Sequence, residues 1–414
     1  MKMPITARMS SVGLVSALFA VGCMADEGTD NKVELGTSNG TTDDQATAGQ
    51  KPKPTTLERV TVTPLARDKA ISGEPKVTIV PSLTNAWGMA VLNQNFWIAG
   101  NVQGRVPILN GAGVASTGAV MSGEIFLEKG ITGVAATGAE RDDNVFQIHK
   151  GTDCRPAQLI FVSETGNIFG VTTDVSNSEG FVAAKVVKAS DKDPANFKGA
   201  AILQRETDKG GPLLLAADFK HARIDVFNSN FEHVSSPFSD VAKALPPGPH
   251  GARFAPFNVM TTADHVFIAF ALQNKERDDA VTGEGLGFVV QLDRTGKVIA
   301  LAKSESEHGH GRELDAPWGM AVTCNSRLAS NALIVGNFGS GRITVLDLHN
   351  KLASLGQLET QKGKPVMIDG LWDLTFGAGV QKAESDELFF TAGPQDETRG
   401  LFGKITSEES EHKH

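Results

Sequence analysis

NAWGMAV at Asn85–Val91 returns as APWGMAV at Ala316–Val322 and, with a changed tail, as LWDLTF at Leu371–Phe376. Each copy is followed by a second, more apolar run, then a Gly- or Asn-containing turn and a third strand-like run. FWIAGNVQGRVPIL, LLLAADFKHARIDVF, ALIVGNFGSGRITVL and LFFTAGPQDETRGLF are four versions of that continuation. Self-similarity over tens of residues marks a stacked or radial architecture, because one such unit cannot bury its own apolar faces. Starting the units at Trp87, Gly133, Ala200, Phe257, Trp318 and Trp372 predicts six copies with a period of about 57 residues.

The spacing within each unit predicts strands. GRITVLD and ARIDVFN alternate apolar and polar residues at period two, whereas LLLAADF and ALIVGNF are continuously apolar, as strands covered on both faces are. The predicted fold is therefore all-β: a six-bladed propeller of four-stranded antiparallel blades. A ring needs closing, and ERVTVTPL at Glu58–Leu65 is a spare strand upstream of the first unit, expected to pair at the outer edge of the last blade. A short helical turn is expected at Asp240–Leu245.

The chain ends divide off from this core. Residues 1–25 place Lys2 and Arg8 before the apolar run Val12–Val21 and then Gly22-Cys23-Met24-Ala25, the order of an export signal. The run is too short to span a bilayer. Ala20-Val21-Gly22-Cys23 resembles a lipoprotein cleavage motif, which makes Cys23 the candidate lipidation site; simple cleavage after Ala25 is the alternative. Residues 26–57 are Thr-, Gly-, Asp- and Pro-rich and read as a disordered tether, residues 58–406 as one propeller domain, and residues 407–414 as a polar tail. Membrane association is expected only through the N-terminal lipid. The expected location is the cell envelope, the periplasm or the exterior.

Composition narrows the function classes. Of 414 residues 40% are hydrophobic and 21% charged, and the formal net charge of −9 argues against nucleic acid as a partner. Tyr is absent while Phe numbers 22, a bias for which we have no physical account. No GxSxG, HExxH, CxxC or phosphate-loop motif occurs. His308 and His310 lie at ligand spacing in a charged loop that reads as solvated. Cys154 and Cys324 fall in units two and five, opposite one another in a six-membered ring. They are too distant for a mutual disulfide and are expected as two buried free thiols.

The stretch from Ala255 to Ile405 resembles a family of exported bacterial β-propeller proteins without an assigned activity. ALQNKERDDAVTGEGLGFV, LDAPWGMAV, MIDGLWDLTFG and LFFTAGPQDETRGLFGKI carry the likeness, and LTNAWGMAV and AADFKHARIDVF extend it toward the N-terminus. The resemblance implies a six-bladed ring in the style of NHL and lactonase-like propellers, and implies no catalytic residues.

Candidate chemistry therefore rests on loops that differ between copies. Asp278, Asp279 and Glu284 lie in the Gly-rich DDAVTGEGLG, where carboxylates could bind Ca²⁺, although a turn capped by Asp279 explains the same residues. Asp369, Asp373, Asp396, Glu397 and Arg399 lie in IDGLWDLTF and GPQDETRG. Their structural alternative is that Asp369 and Asp396 bond turn N–H groups while Arg399 pairs with Glu397. The recurring Trp87, Trp318 and Trp372 could form a row of rings for a sugar, but equivalent positions in a repeat more often pack the wedge between blades. The leading functional expectation is a monomeric binding scaffold for a protein or cell-envelope glycan. The alternative is a Ca²⁺-dependent lactonase-type hydrolase using Asp369, Asp396, Asn337 and Asn258 in the axial channel. A quinone-dependent redox propeller ranks last, because no Trp-rich docking repeat accompanies the units.

Overall fold

The structure, a computed structural model, describes residues 57–115, 125–150, 153–173, 181–206, 209–302 and 313–407. It is a six-bladed β-propeller. Inner strands Ala86–Leu92, Ile131–Ala136, Phe197–Leu203, Phe254–Thr261, Pro317–Asn325 and Leu371–Phe376 each begin one antiparallel blade. Each packs on the inner strand of the next blade, and the sixth packs on the first, so the contacts close a circle. Second strands such as Leu213–Asp218 are buried along their whole length, as their unbroken apolar runs require. The third strands are also largely buried, with Ile343–Leu346 covered on both faces instead of alternating.

The ring is closed by the first strand of the chain. Arg59–Arg67 runs antiparallel to Leu401–Ser407, pairing Val60 with Ser407 and Arg67 with Leu401. This is the expected closure, extended two residues beyond Leu65, and the last strand reaches Ser407. Beyond it, Asp68 meets Arg399 in a buried ion pair with Nε 3.1 Å from Oδ1. The helical turn is a 3-10 segment at Pro237–Ala244, and the irregular second unit carries an inserted hairpin, Gln147–Lys150 with Asp153–Pro156.

The cysteine expectation needs correction. Cys154 lies on that hairpin and is a free but exposed thiol, with Sγ 2.9 Å from Gln147 Oε1. Cys324, on the inner strand of blade 5, is disulfide-bonded and is not a free thiol. Because Cys154 is free, the two are not joined to each other, in keeping with their opposed blades. Cys23, the export signal, His308, His310 and the terminal tail fall outside the described residues. No helix among the described residues is long and apolar enough to cross a membrane.

Candidate functional site

One irregularity recurs in all six inner strands. Pairing with the second strand slips between Ala86 and Met89, Ile131 and Val134, Phe197 and Ala200, Pro256 and Asn258, Pro317 and Met320, and Leu371 and Leu374. Each slip is a β-bulge, which re-aims the side chain it carries. The equivalent bulge residues are Trp87, Thr132, Lys198, Phe257, Trp318 and Trp372. Blades 2 and 3 are thus anchored at Thr132 and Lys198, one and two residues before the Gly133 and Ala200 expected from the sequence. The residues that follow are Gly88, Gly133, Gly199, Asn258, Gly319 and Asp373. A Cβ on Gly319 would collide with the Trp372 carbonyl, and one on Gly199 with the Asn258 amide. Glycine therefore lets neighbouring inner strands touch backbone to backbone. Where glycine is replaced, the side chain is used as a stitch. Asn258 Nδ2 donates to the Trp318 carbonyl at 3.0 Å, and Asp373 Oδ2 accepts from the Met89 N–H at 2.7 Å.

The aromatic bulge residues meet at the ring axis. Trp87 stacks on Trp372 with centroids 3.5 Å apart, Trp318 meets both edge-on, and Phe257 packs against Trp87. Phe219 and Phe338, which follow the second strands of blades 3 and 5, complete one buried cluster. The tryptophans are core, as expected, but they form a central plug and not a wedge between blades. Their faces are covered by one another, so they offer no platform for stacking a sugar ring. The Nε1–H groups of Trp87 and Trp318 have no partner among the described residues, whereas Trp372 Nε1 donates to Asn85 Oδ1 at 2.9 Å.

Residues at the ends of inner and second strands and in the loop after Ala392 place a polar arc beside the plug. Lys198, only 1% exposed, donates to Glu164 Oε1 at 2.5 Å and stands 5.2 Å from the Trp87 ring centroid. Glu164 Oε2 accepts from Asn101 Nδ2 at 3.1 Å. Asn101 meets Asn85, whose Nδ2 donates to Glu397 Oε2 at 2.6 Å. One hydrogen-bonded chain thus runs through blades 3, 2, 1 and 6. Glu397 reaches it from a run of three non-glycine residues in the left-handed region, Gln395, Asp396 and Glu397, with φ of 57°, 51° and 61°. Such backbone is held only where its surroundings enforce it, and it clusters at functional sites. Burial raises the pKa of Glu397, and the charges of Asp279 and Glu164 add to the rise, against the lowering effects of Asn85 and Lys198.

The other sequence candidates fall in different surroundings. Asp279 and Glu164 are near enough to be felt by Glu397. Asp278, Asp279 and Glu284 are exposed, and Asp279 Oδ1 accepts from the Ala280 N–H at 2.7 Å. Asp369 Oδ2 accepts from the Gln395 N–H at 2.8 Å, and Asp396 is exposed. Arg399 pairs with Asp68, not Glu397, because its side chain turns toward the closing strand. Asn337 is fully buried and spends its amide on the Asp315 N–H, the Arg342 carbonyl and Thr344. Asn258 is likewise engaged with backbone. Among the described residues no group of three or more His, Cys, Asp or Glu side chains is arranged to hold a metal ion.

Lys198, Glu164, Asn101 and Asn85 were not singled out from the sequence. The signal existed in Asn196-Phe-Lys-Gly, which aligns with Asn85-Ala-Trp-Gly once Lys is allowed at the Trp position.

No protein-family model matches the chain. Two uncharacterized proteins of Acanthamoeba polyphaga mimivirus are similar in sequence. One is 24% identical over 337 residues, 80% of this chain and 76% of that protein. The other is 22% identical over 343 residues, 80% and 82%. Among solved structures, an auxiliary nutrient binding protein from Bacteroides ovatus has a TM-score of 0.50 at 12% identity, over 85% of this chain and 77% of its own. Virginiamycin B lyase from Staphylococcus aureus has a TM-score of 0.43 at 10% identity, covering 84% and 99%. At these identities the structural likeness speaks for the propeller fold alone.

Proposed function

We propose that this chain is a binding propeller of the cell envelope whose site is the polar arc at the axial plug. Its ligand is a small molecule rich in hydroxyl groups, such as the exposed end of an envelope glycan. The observation that carries this reading is the continuous chain from Lys198 to Glu397, ending on a carboxylate held by strained backbone. The partly exposed carboxylates of the arc, Glu164 and Glu397, accept from ligand hydroxyls, while the buried Lys198, Asn101 and Asn85 hold those carboxylates in place.

In this reading residues 1–25 direct export and residues 26–57 tether the propeller, whose last strand runs to Ser407. The protein acts as a monomer. A Ca²⁺-dependent hydrolase would place its metal among the same carboxylates. The binding reading is preferred because Asn258 and Asn337 are committed to backbone and the acids of the arc are already bonded to amides and Lys198.

Calorimetric titration with amino sugars, neutral disaccharides, alkylamines and CaCl₂ tests the proposal. A saccharide should bind the wild type, and Glu397→Gln should weaken it about tenfold, the scale of one hydrogen bond to a charged group. Affinity should fall as pH drops through the raised pKa of Glu397, since the protonated acid accepts less well. Failure of every saccharide, or an unchanged Glu397→Gln, overturns the reading; stoichiometric tight Ca²⁺ would favour the hydrolase.

A further inference from the structure

A concavity lies away from the axis, where the closing strand and the turn after it meet the loops of blade 6. Its volume is about 340 Å³, within the range of small-molecule sites. Val62, Ile71 and Phe390 give it an apolar wall. Met367 lines it as well and is 70% exposed, the most exposed large apolar side chain among the described residues. A methionine left in water beside an apolar cleft is adaptable surface that a ligand would cover.

The polar end of the cleft is Arg67. One of its terminal nitrogens pairs with Glu74, and its Nε–H is buried with no partner among the described residues. A buried N–H without an acceptor is costly, and a guanidinium is built to meet a carboxylate through two parallel N–H groups. The second guanidinium lining the cleft, Arg399, is fully engaged on this edge, its Nε–H on the Asp68 carboxylate and its terminal nitrogen on the Lys69 carbonyl. Arg67 has only its terminal nitrogen engaged. Glu74 is 42% exposed and its pairing is that of a surface ion pair, which an incoming anion can displace at little cost.

We propose that this cleft is a second ligand site, taking a monocarboxylate with an apolar body. The ligand carboxylate replaces Glu74 on Arg67 and satisfies Nε, while the body lies along Val62, Ile71 and Phe390 under Met367. Glu74 is then an internal competitor that holds the guanidinium in the absence of ligand.

Hexanoate, hexanol and hexylamine titrated into the full chain by calorimetry provide the test. Hexanoate should bind with one-to-one stoichiometry and hexanol and hexylamine should not. Glu74→Gln should tighten hexanoate about threefold by removing the competitor, and Met367→Asp should weaken it about tenfold. Both side chains are exposed, so neither change threatens folding, and Arg67→Met should abolish binding. Equal binding of hexanol, an unchanged or weaker affinity in Glu74→Gln, or no hexanoate binding by either protein overturns the proposal.

Discussion

Blades 5 and 3 build the same bulge and put opposite chemistry on it. In blade 5 the bulge carries Trp318, packed edge-on against Trp87 and Trp372; in blade 3 it carries Lys198, equally buried and paired with Glu164. The backbone device is identical down to the glycine behind it, Gly319 or Gly199, which lets the next blade approach. The difference teaches that the bulge is a structural constant and its side chain a variable. Four aromatic copies seal the axis, and the lysine copy starts the polar arc. What looked like decoration of a repeat is the point at which one blade departs from it.

The comparison holds only while the ring keeps all six bulges in register, so the largest effect should come from opening it. Deleting Arg59–Asp68 strips blade 6 of its outer strand and of the Asp68 linkage. The melting temperature should fall by more than about 10 °C; an unchanged melting curve would mean that the blades are held independently.

The next test concerns Asp373 and Asn258, which stand at the same position behind their bulges. Burial lifts the pKa of Asp373 to about 7. The folded chain therefore keeps a proton between roughly pH 4 and 7 that the unfolded chain releases. The resulting stabilisation is complete below about pH 4 and is lost as pH rises through 7, on the order of 4 kcal/mol in all. In Asp373→Asn that dependence should vanish, as denaturant unfolding at several pH values would reveal.

The shared glycines come third. Gly319→Ala and Gly199→Ala should each cost about 1–3 kcal/mol, the range of overpacking, and by similar amounts if the bulges are equivalent. A large effect in one blade and none in the other would separate them.

The smallest effects belong to the variable side chains. Lys198→Met should cost about 1 kcal/mol, because the Glu164 it leaves behind is 32% exposed and water can partly serve it. Its larger consequence should be in ligand affinity. Trp318→Phe should cost less than Trp372→Phe, since Trp372 also donates to Asn85 and the Trp318 N–H has no partner among the described residues.

The fold was legible because WGMAV and its copies repeat both halves of a physical device, an aromatic on the bulge and a glycine behind it. Where the aromatic was missing, only small residues remained to anchor the alignment, and blades 2 and 3 slipped by one and two positions. The site was far less legible. Asn85, Asn101, Glu164 and Glu397 are ordinary turn residues in four separate loops, and only ring closure brings them together. Asp278, Asp279 and Glu284 stood out in sequence because they are crowded along the chain. Crowding along the chain is what exposed loops tolerate best. Of the carboxylates that converge in space, Glu397 stood in the crowded GPQDETRG, while Glu164 had no such local mark. Nor did the cleft at Arg67, which needs the first and last strands side by side.

The pairing of Val60 with Ser407 has a further consequence, for the order of events. Nearly the whole propeller separates the two strands, so the contact that completes the fold is among the most distant the chain can make, and such contacts form slowly. A chain that emerges N-terminus first cannot finish folding until its last strand has appeared. Until then its first strand waits as an unpaired edge, and the ring acquires its stability in a single late step.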